Sequence, residues 1–322
     1  MRNSNTISSI LLSLLLSPSP TTTAAPHQAP LGPFPSPSPS PAKIPFTFRN
    51  ATPEDMDDMA TVWYDAFRPA PMWKYIRQFT DDVDPLYAWT CQRDAFRRML
   101  DQDEEQDLRA TVITVQVPDP SISSSSSSSS LSWEGATATR ERVVSLAMWD
   151  FNETRQRHDG EGSSSSMLSP MSFPLGLHDS RSSSGISSSS PFNCSAHLDM
   201  NMTRVRHLME RAEGAHDKYL RKPLGPQLYL SLLATHPDWD GNGFGATQLR
   251  WGKAQLERLG GEVYGGGSLP LTLMATPAGY PLYVSEGLEG VRNVTVERLD
   301  GQGWLWTVLM KFEEGVGGAD EL

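Results

Sequence analysis

Two periodicities alternate along this chain. Phe46 and Phe48 alternate with Thr47 and Arg49, the period of a strand with one buried face. Thr52, Pro53 and Asp55 then read as the cap, first position and capping acid of a helix. Met56, Met59, Ala60, Trp63, Ala66 and Phe67 follow at helical spacing, and Pro69 ends that helix. Met72 to Phe79 and Leu86 to Leu100 predict two more helices. The β-branched runs Ala110 to Val117 and Val143 to Trp149 predict strands. Leu198, Met202, Val205, Met209, Ala212 and His216 form the narrow apolar stripe of another helix, stopped by Pro223, Gly225 and Pro226.

The second half repeats the alternation. An apolar run from Leu228 ends in a turn, then come Gly241, Gly243 and Gly245, then a helix with Leu249, Gly252, Leu256 and Leu259 on one face. Gly260 and Gly261 are expected to stop it. Leu271 to Ala275 predicts a strand, and Val291 to Leu299 and Trp304 to Phe312 flank a hairpin turn at Asp300 and Gly301. The order β-α-α-α-β-β-α-β-α-β-(α)-β-β describes one α/β or α+β domain.

Composition sets the edges of that domain. Residues 1–44 are rich in Ser and Pro and predict a disordered segment; 45–313 form the domain; 314–322 form a tail. Serine-rich blocks at about 119–138, with eight consecutive serines, and at 153–195 are loops grown inside it, because strands resume on either side. The formal net charge of −11 argues against nucleic acid as a partner. Two cysteines, Cys91 and Cys194, are too few for a disulfide scaffold or a cysteine zinc site, and Cys194 beside a serine-rich block has no evident thiol function. The seven histidines lack metal-ligand spacing, so no metal is expected. Arg2 and the short apolar run from Ile7 to Leu16 resemble a secretory signal and are too short to span a bilayer; no membrane partner is expected. Five Asn-x-Ser/Thr sequons stand at Asn50, Asn152, Asn193, Asn201 and Asn293.

Three readings compete for the glycine turn. Gly241, Gly243 and Ala246 satisfy a dinucleotide fingerprint, but HPDWD separates them from the strand that should lead directly into them. A tight turn without a ligand is the second reading, at the entropic cost of three alternating glycines. The third is an anion cradle, since N–H groups opening a helix have no acceptor and sit at the positive end of its dipole. On this reading THPDWDGNGFGATQL resembles motif A of the GCN5-related N-acetyltransferases, with Gly243 and Gly245 on its glycine positions and Asp240 where Gln or Arg is usual. ATPAGYPLYVSEGL resembles their motif B through Leu282, Tyr283 and Gly287, and FRNATPEDMDDMATVWYDAF is similar to their first strand and helix.

The resemblance implies a mixed, mostly antiparallel twisted sheet flanked by helices, with a splayed central strand pair. It implies acetyl-CoA as co-substrate and transfer of its acetyl group to an amine, directly, in a ternary complex. Leu233, Ala234 and Thr235 would face the pantetheine arm and thioester. Asp240, Gly241, Asn242, Gly243, Phe244, Gly245 and Ala246 would hold the pyrophosphate, and Tyr283 would donate a proton to the departing sulfur. No general base stands out: His236 is expected to point to solvent, and His207, Glu210 and Glu213 to form a charged outer face. Acceptor contacts are expected from Arg68 to Trp73 and from Asp300 to Trp304. The acceptor is expected to be a small-molecule amine, with a protein amine or a non-catalytic acyl-CoA-binding module as alternatives. A cytosolic co-substrate suggests a cytoplasmic protein, with the secretory pathway as the alternative. Monomer and homodimer stay open.

Overall fold

A computed structural model describes residues 44–101, 108–119, 139–151, 191–263 and 269–313. Its first elements are β1 (Thr47–Asn50), α1 (Met56–Phe67), α2 (Pro71–Ile76), α3 (Tyr87–Asp101), β2 (Leu108–Pro118) and β3 (Thr139–Asp150). The second half holds α4 (Met202–His216), β4 (Leu228–Thr235), α5 (Phe244–Val263), β5 (Leu271–Ala275), α6 (Tyr280–Ser285), β6 (Glu289–Glu297) and β7 (Trp304–Phe312). This is the order the periodicities predict.

The strands form one seven-stranded sheet in the order β1-β2-β3-β4-β5-β7-β6. Every neighbouring pair is antiparallel except β4 and β5, which are parallel. A parallel pair needs a crossover, and α5 supplies it. The architecture is the mixed, mostly antiparallel sheet with flanking helices that the resemblance implies.

Each face is sealed by one apolar layer. Met59 and Trp63 of α1 pack with Phe96 of α3 over Val112, Leu146 and Leu232. On the opposite face Leu249 and Leu256 of α5 pack over Trp149, Leu230 and Leu273. Helix α5 lies so close that a Cβ at Gly252 would collide with the Trp149 ring. A buried polar knot fixes its register. Thr111 Oγ1 donates to Gln248 Oε1 at 2.6 Å and accepts from Trp149 Nε1 at 3.2 Å. No polar side chain of that trio is left to pay the desolvation of an unmade bond.

Several expectations are corrected. Helix α5 continues through Gly260 and Gly261 to Val263; glycine lowers helix propensity by only about 1 kcal/mol, which packing of the preceding turns overrides. Leu198 is 54% exposed and precedes α4, because Asn201 caps that helix, its Oδ1 accepting from the N–H groups of Thr203 and Arg204. The helix also runs past His216 into a π-helical stretch, Asp217–Arg221. The cysteines are not separate features: Cys91 of α3 and Cys194 form a disulfide across 103 residues. Sequence spacing carries no sign of this, since the fold brings the segment before α4 across the start of α3. The same segment is pinned a second time by a fully buried ion pair between Asp199 and Arg77. The Arg77 guanidinium also lies over the Trp73 ring at 4.3 Å.

Candidate functional site

The site originates in the parallel pairing of β4 with β5, the one such pair among the described residues. β4 and β5 are joined only from Leu228–Leu271 to Leu230–Leu273. Beyond that rung both strands go on, unpaired with each other, because each stays zipped to its outer neighbour. β4 follows β3 as far as Ser145–Thr235, and β5 follows β7 as far as Ala275–Val308. The His236 N–H donates to Val144 O at 2.9 Å, on the β3 side. Main-chain groups alternate along a strand, so those of Leu233 and Thr235 face the opened side. The gap widens into a cleft of about 490 Å³.

The loop after β4 closes one end of this cleft. It descends through a 3-10 turn, Pro237–Trp239, and two glycines with positive φ, Gly241 at 79° and Gly243 at 78°. Other residues are strained in that conformation, and a Cβ at either glycine would meet nothing within 4 Å. Phe244 then anchors the first turn of α5: its ring is buried and meets Phe46 edge-on at 5.5 Å. The first intrahelical bond is Thr247 N–H to Gly243 O, 3.0 Å. The N–H groups of Phe244, Gly245 and Ala246 therefore have no acceptor within the helix, and the positive end of the dipole lies with them. The donor set suits an anion such as a pyrophosphate.

The predicted residues divide in two. Leu233, Ala234, Thr235, Asp240, Gly245 and Tyr283 line the cleft. Gly241, Asn242, Gly243, Phe244 and Ala246 are not among its walls. The Asn242 amide is spent on the loop itself, donating to Trp239 O at 2.9 Å, and the Phe244 side chain belongs to the core. What these residues offer a ligand is main chain.

Tyr283 projects from α6 into the cleft while its body is 8% exposed. Its ring fits because Gly279 has no side chain: a Cβ there would stand 2.9 Å from Tyr283 Cε2. Burial pushes the phenol pKa up, so it stays protonated, and among the described residues no group hydrogen-bonds its hydroxyl. Asp240 stands at the loop end of the cleft, its pKa raised by partial burial against the opposing pull of His236. His236 does not point free into solvent. Its Nε2 lies 3.3 Å from Asp65 of α1, and its Nδ1 accepts from the Asp238 N–H at 3.2 Å. This correction has a local cause: β4 ends beside α1, so the residue that follows is held by that helix. Among the described residues no group of three or more His, Cys, Asp or Glu side chains converges as a metal site requires.

The far wall was only half legible. Pro69, Ala70, Met72 and Trp73 line it as the sequence suggests. Trp73 is at once a wall and a core residue, its ring tilted against that of Trp63 with centroids 4.9 Å apart. The hairpin turn does not reach the cleft: Asp300 is engaged with Arg298 and Arg204, and Trp304 is 62% exposed. Ile76, Tyr229, Met274 and Thr307 stand there instead. Ile76 ends α2, whereas Tyr229, Met274 and Thr307 reach this wall only through the order of β4, β5 and β7 in the sheet. Asp240 alone among the described lining residues carries a formal charge.

Comparison with solved structures gives distant likenesses. A mosquito arylalkylamine N-acetyltransferase like 5b is 10% identical, covering 84% of this chain and 100% of that one, with a TM-score of 0.41. The Thermoplasma acidophilum PaiA N-acetyltransferase, solved with coenzyme A, is 8% identical over 84% and 100%, with a TM-score of 0.39. A structure from Corynebacterium glutamicum, described as histone acetyltransferase HPA2 and related acetyltransferase, is 16% identical over 83% and 94%, with a TM-score of 0.40. No protein-family model matches the chain, and no curated protein matches it in sequence.

Proposed function

We propose that this chain is a GCN5-related N-acetyltransferase that moves the acetyl group of acetyl-CoA to a small amine by direct transfer. One observation carries the reading: the only parallel strand pair among the described residues parts beside a glycine loop whose helix N-terminus has N–H groups without acceptors in the helix, and a tyrosine lines the same cleft. In this reading acetyl-CoA supplies a thioester, the activated acyl group. The N–H groups of Phe244, Gly245 and Ala246 bind the pyrophosphate. Main-chain groups of Leu233 and Thr235 align the pantetheine arm, and an N–H there faces the carbonyl oxygen where negative charge develops. Tyr283 holds its proton at Oη for the departing sulfur.

The wall also bears on the acceptor. A cationic amine entering an apolar cleft loses hydration, and desolvation lowers its pKa. The reactive, neutral form is favoured there without a dedicated base. Phe67, Trp73 and Tyr229 suit an amine carried on an aromatic or aliphatic body, and a second cationic centre would find no lining carboxylate beyond Asp240.

Titration calorimetry with CoA, followed by thiol release with an amine panel, tests both parts. The expected result is micromolar binding, and turnover at least tenfold more efficient with a phenylethylamine than with a diamine of similar length. No heat with CoA or acetyl-CoA overturns the reading. Asp240 favours a second one, an acyl-CoA-binding module without turnover, because a carboxylate beside a pyrophosphate is repulsive. Binding of CoA with no thiol release from any amine would establish that alternative.

A further inference from the structure

We propose that the chain matures in an oxidising, glycosylating compartment, where Cys91 and Cys194 are joined and Asn50, Asn193 and Asn293 accept N-linked glycans. The inference is independent of the catalytic reading. The chain has two cysteines, and they meet each other. Both are buried, within a small cluster with Tyr87, Val83 and Phe192. Disulfides of this kind persist where thiols are not kept reduced.

The sequons supply the second observation. Asn50, Asn193 and Asn293 are exposed. The two ends of the sheet are β1 and β6, and each carries one of them: Asn50 closes β1, and Asn293 lies on β6 with Thr295 exposed two residues on. Unpaired strand edges are templates for association, and a bulky polar group on each blunts them. Asn193 stands beside the disulfide with its side chain outward, while its carbonyl accepts from the Tyr87 hydroxyl at 2.9 Å. Asn201 is different. It is half-buried, its Oδ1 caps α4, and its Nδ2 donates to Gln78 Oε1 at 2.6 Å. A glycan on Nδ2 would have to displace Gln78 from this half-buried side chain, so Asn201 stays bare. Asn152 lies outside the described residues.

The chemistry balances with co-reactants of that compartment. The two thiols give up two electrons and two protons to a protein or glutathione disulfide, which is reduced to dithiol. Each asparagine Nδ2 loses a proton and bonds to the anomeric carbon of an oligosaccharide, whose bond to a lipid pyrophosphate breaks. Of the two compartments the sequence left open, this favours the secretory pathway, reached through the apolar run from Ile7 to Leu16.

The full chain, expressed in a eukaryotic cell with its own N-terminus and no added export signal, tests the proposal. Expected are an amidase-sensitive gel shift, conversion of residues 50, 193 and 293 to Asp after deglycosylation, an unconverted Asn201, and no alkylatable thiol without reductant. Asn50→Gln and Asn293→Gln should each remove one glycan step and leave the disulfide intact. Two alkylatable thiols in the native chain, absence of glycan at all three positions, or a glycan on Asn201 equal to theirs would each overturn it.

Discussion

At the scale of single residues, burial decides what each titratable group contributes. Tyr283 is held protonated by its surroundings, so its value lies in donating rather than in ionising. Tyr283→Phe keeps the ring that Gly279 accommodates and removes the proton. We expect kcat to fall roughly a hundredfold with CoA affinity unchanged in calorimetry. His216 makes the opposite kind of contribution. It is fully buried, meets Tyr229 edge-on at 4.9 Å, and neither ring nitrogen has a partner among the described residues. Burial, reinforced by Arg221 and opposed by Asp217, lowers its pKa to about 4. The unfolded chain binds a proton near pH 6.5 that the folded chain refuses, so stability falls as pH drops from about 6.5 towards 4. At pH 5 this amounts to roughly 2 kcal/mol. Urea unfolding at pH 7 and pH 5 measures it, and His216→Phe should remove most of the difference.

At the scale of elements, close packing reverses ordinary propensity. Gly→Ala inside a helix normally stabilises by about 1 kcal/mol. Gly252→Ala should instead destabilise by roughly 1–3 kcal/mol, because the new methyl meets the Trp149 ring. A lower urea midpoint with an unchanged slope is the expected signature. The same contact explains what the sequence could and could not reveal. The stripe Leu249, Leu256 and Leu259 announces a helix and its buried face, and the alternations at 46–49 and the runs at 110–117 and 228–235 announce strands. Those signals are local. The stopping power ascribed to Gly260 and Gly261 failed because preceding turns hold the helix on the sheet. In the candidate site the glycine loop and Tyr283 were legible as motifs. Tyr229, Met274 and Thr307 were not, since they join one wall only through strand order, which no short-range pattern encodes. The disulfide was illegible for the same reason.

At the scale of the whole molecule, the sheet is two half-sheets sharing a short seam. β1 to β4 form one leaf, β5, β7 and β6 the other, and the three rungs from Leu228–Leu271 to Leu230–Leu273 hold them edge to edge. Above the seam, the inner margins of the two leaves face the cleft and are not paired with each other. A guest lying between them acts as temporary rungs, and its departure returns the leaves to a single narrow hinge. Deuterium uptake at Leu233, Thr235 and Met274 should therefore slow severalfold when CoA is added, while uptake at Leu146 and Leu309, inside each leaf, stays as it was. The protein would carry its mechanical weakness where its partner fits, and be stiffest only when occupied.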